Sequence, residues 1–217
     1  MAETITHKAS LSSGTNATSY ATGSWTPTAN RLAICTVQSQ ISGTPSEPTT
    51  VTGNGITWVK ITGYQDDTSG TQSRITSYIG LTGVSPSAGA VTADFVLETE
   101  LGCNIIVDEI DGGYLLGLAL DAIVQSKTGS ASGSGTSETI TLDVGITAGN
   151  ASYGVFHHQA DEVSVEGSGY TALGNVHHSG PSSALFSEYK AAGSTTVDAS
   201  WTTAALKGGI AFEIKAA

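Results

Sequence analysis

The sequence predicts an all-β protein, a β-sandwich with an internal duplication. Three observations lead there. Strand-like segments recur about every ten to fifteen residues, with Gly, Ser, Pro, Asn or Asp between them. No segment sustains a 3.6-residue period, so long helices are not expected. The stretch Val51-Thr-Gly-Asn-Gly-Ile-Thr-Trp-Val-Lys-Ile61 also returns later as Val163-Ser-Val-Glu-Gly-Ser-Gly-Tyr-Thr-Ala-Leu173.

In chain order, residues 31–38 are apolar at both parities, as a central strand requires. Gly53-Asn54-Gly55 reads as a hairpin turn, because Gly and Asn tolerate positive φ. A strand over 56–61 follows, with Ile56 and Trp58 on one face and Val59 and Ile61 on the other. Ile75, Ser77, Ile79 and Leu81 alternate with Thr76, Tyr78 and Gly80. Val91, Ala93, Phe95 and Leu97 alternate with Thr92, Asp94 and Val96, and residues 103–110 form the next strand.

The second half repeats this order. Ser13-Gly-Thr-Asn-Ala-Thr18 matches Ser134-Gly-Thr-Ser-Glu-Thr139, and Asn30 matches Asn150. Ser73-Arg-Ile-Thr-Ser-Tyr78 matches Ser183-Ala-Leu-Phe-Ser-Glu188, and Val91-Thr-Ala-Asp-Phe95 matches Val197-Asp-Ala-Ser-Trp201. Ile106-Val-Asp-Glu-Ile110 matches Ile210-Ala-Phe-Glu-Ile214. The repeats span about 1–112 and 121–217. The junction Tyr114-Leu-Leu-Gly-Leu-Ala-Leu120 is apolar, where a free linker is polar, so a single domain with a shared core is expected. The alternative is two tandem small sandwiches, with the polar stretch 126–135 as the better linker.

The strand entry Pro27-Thr-Ala-Asn-Arg-Leu32, the turn Gly53-Asn-Gly-Ile-Thr-Trp58 and the closing Glu109-Ile-Asp-Gly112 resemble a family of duplicated β-sandwich domains. Its members occur in phage structural proteins and bacterial surface proteins. The resemblance covers the chain from about Ser13 onward, with the second-half echo at Gly167. It implies a jelly-roll-like fold and a structural or adhesive role, and it brings no catalytic set.

Composition removes several classes. The formal charge is −11, with Lys and Arg scattered singly, so neither nucleic acid nor an anionic membrane surface is an expected partner. The first residues, from Met1 to His7, have neither a basic nor an apolar region, so no signal peptide is expected. The apolar run at 114–120 is too short to span a bilayer. Cys35 and Cys103 sit in strand-like segments, where a buried small hydrophobe is expected rather than a disulfide or thiolate metal site.

Four of the five histidines form the pairs His157-His158 and His177-His178. If the Gly167-Ser168 turn closes a hairpin, His158 faces His177, two imidazoles near enough to share a metal. They are weak metal candidates, because adjacent strand residues point to opposite faces. Acids gather at Asp94, Glu98, Glu100, Asp108, Glu109 and Asp111, and again at Asp66-Asp67. Either group suggests Ca²⁺, but neither has EF-hand spacing, and a solvated rim is expected. Trp25, Trp58 and Trp201, with Tyr20, Tyr64 and Tyr170, suggest a sugar-stacking platform, but the alternation puts Trp58 and Trp201 in the core. No nucleophile, zincin or phosphate-loop motif occurs, and no cofactor is expected.

The expected function is a non-enzymatic virion structural protein, assembled in the host cytoplasm: a phage capsid decoration, head-fibre or tail component. Its partners would be other virion proteins and copies of itself, a trimer by analogy. The self-association expectation comes from strands apolar on both faces, whose surplus face needs a loop or another subunit to cover it. The alternative is a carbohydrate-binding module or adhesin on a cell surface, with glycans as partners.

Overall fold

The computed structural model describes residues 3–66, 70–96, 98–112, 115, 117–129 and 133–217. Strand makes up 60% of it and helix 2%, so the chain is all-β, as the segment pattern requires. The described residues of the first half form β1 (Thr4–Ser13), β2 (Ser19–Ala21), β3 (Leu32–Ser42), β4 (Thr50–Thr52), β5 (Val59–Gln65), β6 (Thr71–Leu81), β7 (Thr92–Asp94) and β8 (Gly102–Asp111). A short 3₁₀ turn, Ala119–Ala122, leads into the second half. There follow β9 (Ile123–Thr128), β10 (Ser134–Thr141), β11 (Ala151–His158), β12 (Val165–Glu166), β13 (Thr171–Ser179), β14 (Ser182–Lys190) and β15 (Thr196–Ile214). Among the described residues no helix is long and apolar enough to cross a membrane.

The strands build antiparallel sheets stacked in four layers. A five-stranded sheet runs β1-β8-β3-β6-β5, with a three-stranded sheet β2-β7-β4 on one face. In the second half one long strand serves two sheets. Residues 196–206 of β15 pair with β10 and β12, while residues 207–214 pair with β11 and β9. The order across the latter sheet is β9-β15-β11-β14-β13. The sequence separates the matching segments at 197–201 and 210–214; the backbone runs through both without a break.

Three buried clusters fill the spaces between layers, and strand alternation sorts residues among them. In β3, Ala33, Cys35 and Val37 face the small first-half sheet with Tyr20, Val91, Ala93 and Phe95. Leu32 and Ile34 face the other way, into a cluster shared with Tyr153, Val155, Leu185, Ile210, Phe212 and Ile214 of the second half. Ile140, Phe156, Phe186, Val197 and Ala211 form the third cluster, inside the second half.

This arrangement supplies the cover that the two-sided strands need. The outer face of β3 lies against the other half of the same chain, not against a loop or a second subunit. The halves meet reciprocally, β1 packing on β13 and β5 on β9. Glycines permit the close approach: a Cβ at Gly174 would stand 2.8 Å from Ile106 Cγ2 and 2.9 Å from His7 Nδ1.

Polar groups buried in the same interface are paired across it. Asp108 accepts from the Tyr153 and Ser187 hydroxyls at 2.7 Å each and contacts His7 Nδ1 at 2.9 Å. Gln38 Oε1 accepts from Asn104 and from Ser183 of the second half, at 2.9 and 2.8 Å.

The Gly53-Asn54-Gly55 turn forms as its residue types demand, with φ of 135°, 58° and 70°. Ile56 N–H closes it on the Gly53 carbonyl at 3.0 Å, and Tyr170 repeats that bond to Gly167. Neither turn makes a hairpin. β4 pairs with β7 and β5 with β6, so the first turn carries the chain from one sheet to the other. Strand pairing then begins at Val59, not Ile56. The polar stretch 126–135 is largely strand, in β9 and the start of β10, with 130–132 outside the described residues. In the junction, Tyr114 and Leu116 lie outside the described residues, and so does Leu97 of the alternation.

Candidate functional site

The histidine pairs do not converge. The strand β14 lies between β11 and β13, so His158 and His177 both stand opposite Ala184, one on each side. Two strand spacings, about 9–10 Å, separate their backbones. His158 is buried, stacks on Trp201 with ring centroids 4.5 Å apart, and its Nε2 lies 3.0 Å from Ser164 Oγ. Burial pushes its pKa down to about 4. His177 is exposed and holds Asp161, Nδ1 to Oδ1, at 2.6 Å. His157 points to the opposite face, against the Tyr64 ring between the halves, and burial pushes its pKa down to about 3.

The acids are likewise dispersed by strand alternation. Asp108 faces the second half, Glu109 pairs with Lys8, Asp111 with Arg31, and Asp94 accepts from the Thr50 hydroxyl. Asp66 accepts from Ser73 N–H and Gln159 Nε2; Asp67 lies outside the described residues. Glu98 and Glu100 are close enough to interact, and burial first, then Glu98, pushes Glu100 up to about 8. Among the described residues, no group of three or more His, Cys, Asp or Glu is placed to hold a metal ion.

The cysteines are free and buried, as expected. The register puts Cys35 opposite Val107 and Cys103 opposite Ser39, four residues apart along the pair. Trp25, Trp201, Tyr20 and Tyr170 are all buried, so these rings form no exposed platform. Trp58 departs from the expected core position: it is half-buried at the rim of the first-half core.

Trp58 borders a cleft lined mainly by polar side chains. Because β5 leaves the small sheet for the large one, the sandwich is open between β4 and β5. The opening is a cavity of 470 Å³ lined by Glu47, Thr50, Thr52, Trp58, Lys60 and Tyr78, among others. A second cavity of 200 Å³, lined by Ser46, Phe95 and Glu98, shares Glu47 and Thr49 with the first. The two cavities therefore adjoin at Glu47 and Thr49. Lys60 Nζ and Arg74 Nη2 both donate to Glu47 Oε1. Burial raises the Glu47 pKa, but the Lys60 and Arg74 cations outweigh it and hold the carboxyl below the usual range. Burial first, then Glu47, pushes the Tyr78 phenol up, so it stays protonated at neutral pH.

The alternation of β6 places Arg74 and Tyr78 on one face, and that much is legible in the sequence. Their convergence with Glu47, from the loop before β4, and with Lys60 of β5 depends on how the sheets assemble. The grooved face offers aromatic surface, hydroxyls and a carboxylate held by two cations. Such a face can bind a polar ligand, and among the described residues it holds no nucleophile paired to a base. Compared with known proteins, the chain matches no family model, no curated protein and no solved structure.

Proposed function

We propose that this protein is a non-enzymatic structural protein of a virion, a phage capsid decoration, head-fibre or tail component, built as a duplicated jelly roll. The observation that carries the reading is the strand order. The first half runs 1-8-3-6-5 over 2-7-4. Numbered from β9, with the two segments of β15 counted as seventh and eighth, the second half runs the same way. An order of 1-8-3-6 over 2-7-4 is that of an eight-stranded jelly roll, here with the fifth strand moved to the large sheet. The first strand of each half packs on the fifth of the other, the reciprocity of an isologous dimer fused into one chain. Jelly rolls recur in capsid proteins, and buried hydrogen bonds at Asp108 and Gln38 join the two halves here.

Assembly into a homo-oligomer, a trimer by analogy with decoration and fibre proteins, belongs to the same reading. The outer face of β3 no longer supports it, since the second half covers that face. The support moves to an exposed apolar groove of 360 Å³ lined by Val59, Leu81, Leu118 and Leu120. Mass spectrometry and immunogold microscopy of purified phage particles from the genome encoding this chain test the proposal. The protein is expected in regular copies on particles. Its absence from particles, with recovery on the cell surface, overturns it.

A further inference from the structure

We propose that the groove at Glu47 binds a neutral oligosaccharide, with Trp58 as the ring on which a pyranose packs. This goes beyond the virion reading and stands independently of it, since a particle protein and a cell-surface module would use the groove alike.

The first argument is divergence between the halves at one paired position. In the first half Lys60 stands opposite Tyr78; in the second half Ala172 stands opposite Glu188 at the corresponding place. There Glu188 is buried and accepts from Gly167 N–H at 2.8 Å, so the second half takes up the position with a turn contact. The first half also has two more residues between turn and strand. Ile56 and Tyr170 close equivalent turns, yet pairing starts at Val59 in one half and at Thr171 in the other. The extra length brings in Trp58. One half thus makes this connection without counterparts of Trp58, Lys60 or Tyr78, so the connection itself does not require the groove residues.

The second argument is the chemistry of the lining. Trp58 gives an apolar ring face that remains partly exposed, which suits the C–H face of a sugar ring. Thr50 and Thr52 supply hydroxyls that both donate and accept. Glu47 is an acceptor fixed by two cations, so it can accept hydrogen bonds from sugar hydroxyls, and Glu98 of the adjoining cavity sets a second carboxylate against those two cations. Both described cations of the groove are engaged with Glu47, and the net charge of −11 repels polyanions. The two cavities adjoin at Glu47 and Thr49, and such a row of sites suits a chain of sugars better than a compact ligand.

Tryptophan fluorescence and calorimetric titrations of the full chain test this. The probes are neutral hexaoses of glucose, mannose, galactose and N-acetylglucosamine, with a sulfated oligosaccharide as the anionic comparison. At least one neutral hexaose is expected to bind, and the sulfated one is not. Lys60→Ala, at an exposed position, should weaken binding about tenfold, as should Trp58→Phe, which keeps an aromatic ring against the core. Unchanged thermal unfolding in both variants assigns the loss to the groove. Absence of binding to all four neutral probes, preference for the sulfated one, or unaltered affinity in both variants overturns the proposal.

Discussion

Tyr153 of the second half donates its phenol hydrogen to Asp108 of the first across 2.7 Å, both residues fully buried. Burial, and next the Asp108 charge, pushes the Tyr153 phenol up, so it remains a donor throughout the physiological range. Ser187 donates to the same Asp108 oxygen. Tyr153→Phe therefore removes one of two donors from a buried acceptor and should cost about 1–3 kcal/mol in denaturant unfolding. Asp108→Ala should cost more, because it strands two buried hydroxyls. Equal stability of wild type and Tyr153→Phe would show that the bond contributes nothing net.

Cutting the chain after Gly112 exposes the outer face of the first large sheet. Leu32, Ile34, Ile75, Ile79, Ile106 and Ile110 would lose their cover together. Fragment 1–112 is expected to aggregate, or to pair through that face as a dimer replacing the missing half. Size-exclusion chromatography with light scattering checks this. A soluble monomeric fragment with cooperative unfolding would mean that the halves are independent domains.

Stability should peak in mild acid. Burial raises Glu100 and Glu188 to about 8 and Glu3 to about 7. The folded chain then keeps protons that the unfolded chain releases above about pH 4.5, so this contribution falls as pH rises towards 8. His157 and His158, lowered to about 3 and 4, act in the opposite sense. The unfolded chain takes up their protons below about pH 6.5 while the folded chain does not, so stability falls as pH drops. Three carboxyls against two imidazoles place the maximum at about pH 5. Calorimetric Tm against pH measures it, and Glu100→Gln should flatten the alkaline arm. A Tm that climbs from pH 6 to 8 would contradict the assignment.

Trp201 is the tryptophan on which stability depends most visibly. It is buried, stacks on His158, and its Nε1 donates to the Gly135 carbonyl at 2.8 Å. Trp201→Ala should cost about 3–5 kcal/mol. Trp58→Ala should cost less, since its ring is only half-buried. Urea unfolding of the two variants side by side decides the order.

Local chemistry alone determined the all-β class of this fold. Period-two alternation and β-branched residues made strands, and Gly53, Asn54 and Gly55 made a turn because only such residues adopt positive φ cheaply. The matched segments 73–78 and 183–188 fall on β6 and β14, and 106–110 and 210–214 fall on β8 and the end of β15. The apolar character of both faces of β3 was legible too, together with the need for a cover.

What provides that cover, and which strands neighbour which, only the tertiary structure decided. Alternation states which residues share a face, but a turn sequence does not state whether the chain pairs back on itself or crosses to another sheet. The hairpin reading therefore put His158 opposite His177, where β14 intervenes, and placed Trp58 in the core, where the shift of β5 opens a groove. Glu47, Lys60 and Arg74 meet because three segments distant in sequence are brought together at that opening. Their contact energies exist only after the sheets have stacked, so no local signal marks them.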